Sequence, residues 1–228
     1  MDSEIIKESA KAVQEASKAA QQVVGAARDA GGFMGRYLRG PLEQMSLLIE
    51  DRLKYSRAIR LIRLQERIKQ ELDKSGGDLC IQSLDVRFAL DALEEGSFEE
   101  DDDLQDMWAR LIANAIDANS GSSPRRAYIS MLKDMSHLDA VIFEVIYNVP
   151  EIEGGKAIVT SGLPHSASRA DEIQLTELIE PGDEVKVSLS NLARLGVIGF
   201  GASWGGGEVY KYVNKTLAGK ELMAAIRR

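Results

Sequence analysis

The stretch 104–116, "LQDMWARLIANAI", carries Leu104, Met107, Trp108, Leu111, Ile112, Ala115 and Ile116 at spacings of three and four. That spacing places all seven on one side of a helix, an apolar face too wide to leave in water. The chain must therefore assemble a helical core around it. Immediately before lies "EEDDD", residues 99–103, and five consecutive carboxylates invite a chemical reading. A calcium loop starting at Asp101 needs Gly at its sixth position and Glu at its twelfth, but these are Asp106 and Ile112. A general acid/base pair needs two carboxyls in different environments, one of them desolvated, and consecutive acids offer no such contrast. The run reads instead as a helix start, with Asp103 as N-cap and the acids facing the positive end of the helix dipole.

The same periodicity extends along most of the chain. From Ile5 to about Leu38 a stripe of mostly small residues recurs at helical spacing, with a break expected near Gly31–Gly32. Its members Val13, Ala20, Val23, Ala27, Met34 and Leu38 suit close approach of another helix. Pro41 opens a second helix running to about Leu72 and ended by Gly76–Gly77. "LCIQSLDVRFALDALEEG" predicts a third, with Cys80 among its apolar neighbours. After the loop "ANSGSSPRR" come a short helix, "AYISMLKDM", and one opened by a capping box, Ser136 and Asp139. Residues 150–183, rich in Gly, Ser, Pro and acids, predict a long excursion with short ordered pieces. The final segment reads helix, strand, glycine-rich tip, strand and helix. The expected architecture is mostly α with a small β-hairpin: a helical domain over 1–125, then a winged-helix-like domain over 126–228.

Composition narrows the functions this architecture can serve. A net charge of −8 argues against a general nucleic-acid binder, which needs a basic surface. One cysteine rules out a disulfide framework within the chain and fits a reducing compartment. No basic-then-apolar leader opens the sequence, and no run of about 18 apolar residues occurs; a cytoplasmic location is expected, with inner-membrane association on activation. His137 and His165 are the only histidines, too few with Cys80 for a zinc site. Neither histidine stands beside a nucleophile elbow, and Cys80 reads as a small core residue. "GFGASWGGGE" is followed by "VYKYVNKT", which reads as a strand where a phosphate-binding loop needs a helix. No catalytic, metal or cofactor-binding residue is therefore assigned.

Two polar sets remain. The basic stretch with Arg52, Arg57, Arg60, Arg63 and Arg67 has three readings: a solvated face, a partner for the acids at 91–106, or an anion or membrane contact. In "VSLSNLARLGV", Ser190, Asn191 and Arg194 form a sparse set for contacting DNA.

Three segments together, "DDDLQDMWARLIANAIDAN", "PRRAYISMLKDMSHLDAVIF" and "SLSNLARLGVIGF", resemble the Abi-alpha (abortive infection alpha) family of bacterial and prophage proteins. The resemblance spans roughly residues 80–225 and departs at Ser-Pro-Arg-Arg, where a His-Pro pair is expected. It implies a link to phage defence and no established catalytic motif. Its signature positions Leu104, Trp108 and Leu111 read as core residues. The functional expectation is a non-enzymatic phage-defence protein acting by protein–protein recognition and self-association. Its partners would be further copies of itself and a phage or defence protein, with membrane contact after activation and nucleic acid disfavoured. Alternatives are a membrane-disrupting or pore-forming effector acting through the N-terminal helices, and a winged-helix DNA-binding regulator.

Overall fold

The computed structural model describes residues 53–74, 79–151, 157–170, 178–202 and 207–227. Among them run α1 (Leu53–Lys74), α2 (Val86–Gly96), α3 (Asp102–Ile116), a 3₁₀ turn (Ala118–Ser120), α4 (Arg126–Lys133) and α5 (His137–Asn148). Then come β1 (Ile158–Val159), β2 (Ser168–Arg169), α6 (Asp183–Arg194), β3 (Ile198–Ala202), β4 (Glu208–Lys215) and α7 (Leu217–Ile226). The class is mostly α with one small antiparallel sheet. The described residues up to Ile129 form one compact unit and those from Ser130 to Arg227 another, the division falling inside α4. The stripe Val13, Ala20, Val23, Ala27, Met34 and Leu38, and Arg52, lie outside the described residues.

In the first unit α3 is the axis. Eleven of its 15 residues are buried, including Gln105, Ala109, Ala113 and Asn114 outside the predicted apolar face. Helices α1 and α2 both pack on it. From α1 come Leu61, Leu64, Ile68 and Leu72, and from α2 Phe88, Ala89, Ala92 and Leu93, none more than 4% exposed. Full burial of a Leu- or Phe-sized side chain stabilises by about 1.5–3 kcal/mol, so these contacts dominate the unit. Gly96 closes α2 at the tightest point: a Cβ there would lie 2.9 Å from Leu64 Cδ2 and 3.3 Å from Trp108 Cβ.

A helix buried this completely must satisfy both of its ends. At the start the N-cap is Asp101, not Asp103 as the spacing suggests. Its carboxylate accepts from the backbone N–H of Asp103 and Leu104 at 3.1 and 3.0 Å, which places Asp102 and Asp103 inside the first turn. At the other end the segment before α2 supplies the partners. Gln82 donates its backbone N–H to Ile116 O (2.9 Å) and its Nε2 to Ala115 O (3.0 Å), and Ala118 N–H donates to Cys80 O (2.6 Å). The expected helix from Leu79 therefore begins only at Val86. Residues around Ile81 run extended and bridge to Asp117, and Asp85 caps α2 through Phe88 N–H. The same geometry leaves Cys80 exposed rather than in the core.

In the second unit α5 carries the predicted capping box: Asp139 accepts from Ser136 N–H (2.8 Å) and Ser136 Oγ from Asp139 N–H (3.3 Å). Helices α6 and α7 pack on α5. The sheet order is β2-β1-β4-β3, antiparallel throughout, with Ile158 opposite Val213 and Phe200 also opposite Val213. Tyr147 near the end of α5 ties the pieces together. Its hydroxyl donates to Val197 O (2.6 Å) and accepts from Thr216 N–H (3.2 Å). Thr216 in turn caps α7, accepting from Gly219 N–H (3.0 Å) while donating to Gly196 O (2.6 Å).

That joint leaves no room at Gly219, where a Cβ would meet Tyr147 OH at 2.0 Å and Val197 O at 2.2 Å. Gly219→Ala is expected to destabilise the second unit by about 3 kcal/mol, read as a lower urea midpoint. Gln82→Ala should destabilise the first unit by about 1 kcal/mol, since it leaves a helix-end carbonyl without its donor.

Candidate functional site

The basic residues of α1 meet the acids that precede and begin α3. Arg57 pairs with Glu94 at 3.2 Å and donates to Ser97 Oγ at 2.9 Å, its guanidinium 3.9 Å from the Phe98 ring centroid. Arg60 pairs with Glu100 and donates to Phe98 O at 3.3 Å. Arg63 lies 3.9 Å from Asp102. Arg67 binds Asp102 at 2.6 Å, donates to its carbonyl at 2.9 Å and also pairs with Asp106. The spacing explains the row: positions 57, 60, 63/64 and 67 share one side of a helix, and the acids rise along the facing segment. Of the readings open for this stretch, pairing with the acids is the one the structure realises for these four arginines.

The remaining acids do structural work as well. Glu99 accepts from the N–H groups of Glu100 and Asp101, both at 2.9 Å, and Asp101 is the N-cap. A solvated helix start is thus only half of the description: the run is also one wall of an ion-pair ladder. An isolated exposed pair contributes about 0.2–1 kcal/mol. Here Arg57, Arg60 and Arg67 are only 22–25% exposed, and Arg67 serves two carboxylates, so the row behaves as a network.

In the second unit the three residues considered for DNA contact are brought together, and each is engaged within the unit. Ser190 Oγ lies 2.9 Å from Lys186 O and 2.8 Å from the Tyr210 hydroxyl. Asn191 Nδ2 donates to Asp134 O and to Asp139 Oδ2, both at 2.9 Å. Arg194 donates to Asn191 Oδ1 and pairs with Asp134 at 3.2 Å. α6 turns Asp183, Glu184, Val187 and Arg194 to solvent, Val187 being 71% exposed and the Arg194 side chain 59% exposed. Lys186 folds back onto Glu180 at 2.9 Å, and that hydrogen bond raises its pKa.

A third cluster had no sequence signal, because its members lie far apart in the chain. Lys215, its side chain 6% exposed, donates to Val149 O (2.6 Å) and Tyr147 O (3.3 Å) at the C-terminal end of α5. The helix dipole and carbonyls favour a cation there, while burial pushes its pKa down. Burial likewise raises the Tyr147 hydroxyl. Glu151 accepts from Lys220 at 3.0 Å, which holds its carboxyl below the ordinary value of 4.5. These groups cap and brace: the tyrosine hydroxyl and the ammonium both point at backbone carbonyls.

The fold and these sites define a class: a mostly α-helical, two-unit protein whose conspicuous polar residues hold its own elements together. Residues 56–227 match the family described as abortive infection alpha, and the chain belongs to that family. Membership suggests a phage-defence role through abortive infection. No curated protein and no solved structure matches the chain. Among the described residues no helix is long and apolar enough to cross a membrane.

The Glu151 contact gives a pH dependence with a definite sign. A carboxyl whose folded pKa is depressed contributes stability that is present above its unfolded value and lost as pH falls through the folded one. The second unit should therefore lose stability as the pH drops below 4.5, and Glu151→Gln should flatten that acid limb in chemical denaturation measured across pH.

Proposed function

We propose that this member of the abortive infection alpha family acts without chemistry of its own, by recognising a protein cue and changing its association state. The carrying observation is how the polar side chains are used. Arg57, Arg60, Arg63 and Arg67 are paired to acids, and Ser190, Asn191 and Arg194 bind within their own unit. In the second unit the order α5, β1, β2, α6, β3, β4, with β1 and β3 flanking β4 and β2 on the outer edge beside β1, supports a winged-helix-like reading in which α6 takes the recognition position. That helix offers Asp183 and Glu184 at its exposed start, charges that repel phosphate, with Val187 beside them as apolar contact surface. Such a face suits a protein partner better than a duplex.

The test is particle mass by light scattering on the purified full chain, alone and with lysate of infected cells. The expected result is a mass above the 25.0 kDa of one chain, in one or both samples. A strict monomer indifferent to lysate would sink the reading. Salt-sensitive binding to duplex DNA that is lost in Arg194→Ala would favour the regulator instead. Dye release from anionic liposomes, abolished when Val23 and Val24 become Asp, would favour the membrane effector.

A further inference from the structure

The contact between α1 and the rest of the first unit combines an apolar seam, unpartnered buried polar atoms and a row of ion pairs. Among the described side chains of α1, Leu61, Leu64, Gln65, Ile68, Glu71 and Leu72 are buried, while Arg63, Glu66, Lys69, Gln70 and Asp73 are open to solvent. That seam also holds all the buried side-chain polar atoms without a partner among the described residues: Gln65 Nε2 and Glu71 Oε2 on α1, and Gln105 Oε1 on α3. An orphaned buried polar atom has given up water for nothing, so each subtracts from what the leucines and isoleucine contribute. Along the edge of the same seam runs the arginine row, whose acid partners Glu100 and Asp102 are 75% and 70% exposed. Partners so open to solvent are within reach of screening ions. In sequence, Gly76 and Gly77 separate α1 from α2.

We propose that α1 is a releasable arm: the arginine row latches it to α2 and α3, and anions that compete for those arginines free it while α2 and α3 stay folded. The imperfect seam makes the hydrophobic hold of α1 weaker than its leucines alone imply, and the ionic row supplies the difference. Opening is then a sub-global event, distinct from unfolding of the unit. The inference stands independently of whether the chain self-associates.

Hydrogen exchange with mass spectrometry on the full chain tests it, at about 0.05 M and about 0.5 M NaCl. The expected result is a roughly tenfold faster exchange of α1 amides at high salt, with α3 protection unchanged. In Arg60→Gln/Arg67→Gln the α1 amides should exchange fast at both salts. In Leu64→Ala, which weakens the seam but not the latch, the salt response should persist. The proposal is overturned if α1 amides exchange only together with those of α3, at either salt. It is equally overturned if the salt response survives loss of both arginines. Should the double variant fail to fold, the wild-type comparison still decides: a salt-independent α1 ends the idea.

Discussion

Almost complete burial of α3 is the constraint around which the first unit is organised. The first turn of α3 is open to solvent, but its last turn is buried and cannot leave its C=O groups to water. Asp101 and Glu99 meet the opening donors, and Gln82 and Ser120 meet the closing carbonyls, Ser120 Oγ donating to Asn114 O at 2.7 Å. The need to close that end explains why residues 80–82 are extended despite their helical pattern. The need for close approach explains Gly96, where any side chain would wedge between Leu64 and Trp108.

The second unit solves a similar problem with a single tyrosine. Tyr147 lies in the apolar interior beside Phe143, ring centroids 4.6 Å apart, and its hydroxyl joins the segment before β3 to the start of α7. Buried hydroxyls are tolerated only when bonded, and this one serves two segments of chain. Asn191 does comparable work between α6 and the cap of α5. In both places a polar side chain joins elements of the unit to one another.

Short-range patterns were legible in the sequence. The spacing from Leu104 to Ile116, the Ser136–Asp139 box, and the strands and helix of the last thirty residues are all encoded within a few positions of one another, and all appear where expected. What escaped depends on residues distant in the chain. Periodicity alone extended α2 back to Leu79, because nothing in "LCIQSLD" reveals that its backbone is wanted by Ile116 and Ala118. Asp103 was the natural N-cap by hydrophobic phase, yet Asp101 and Asp103 are equally good caps in isolation. The acids of 91–106 were visible as one pairing option for the α1 arginines, without means to choose it. Lys215 and Tyr147 stand 68 residues apart, and no local rule joins them.

The extended segment that closes α3 has a practical corollary. Cys80 is the chain's sole thiol, it faces solvent, and its own carbonyl is part of that closure. The molecule thus arrives with a native attachment point for a spectroscopic label, positioned where the end of its central helix is sealed. A fluorophore or spin label there would watch that seal directly, with no engineered cysteine and no competing site.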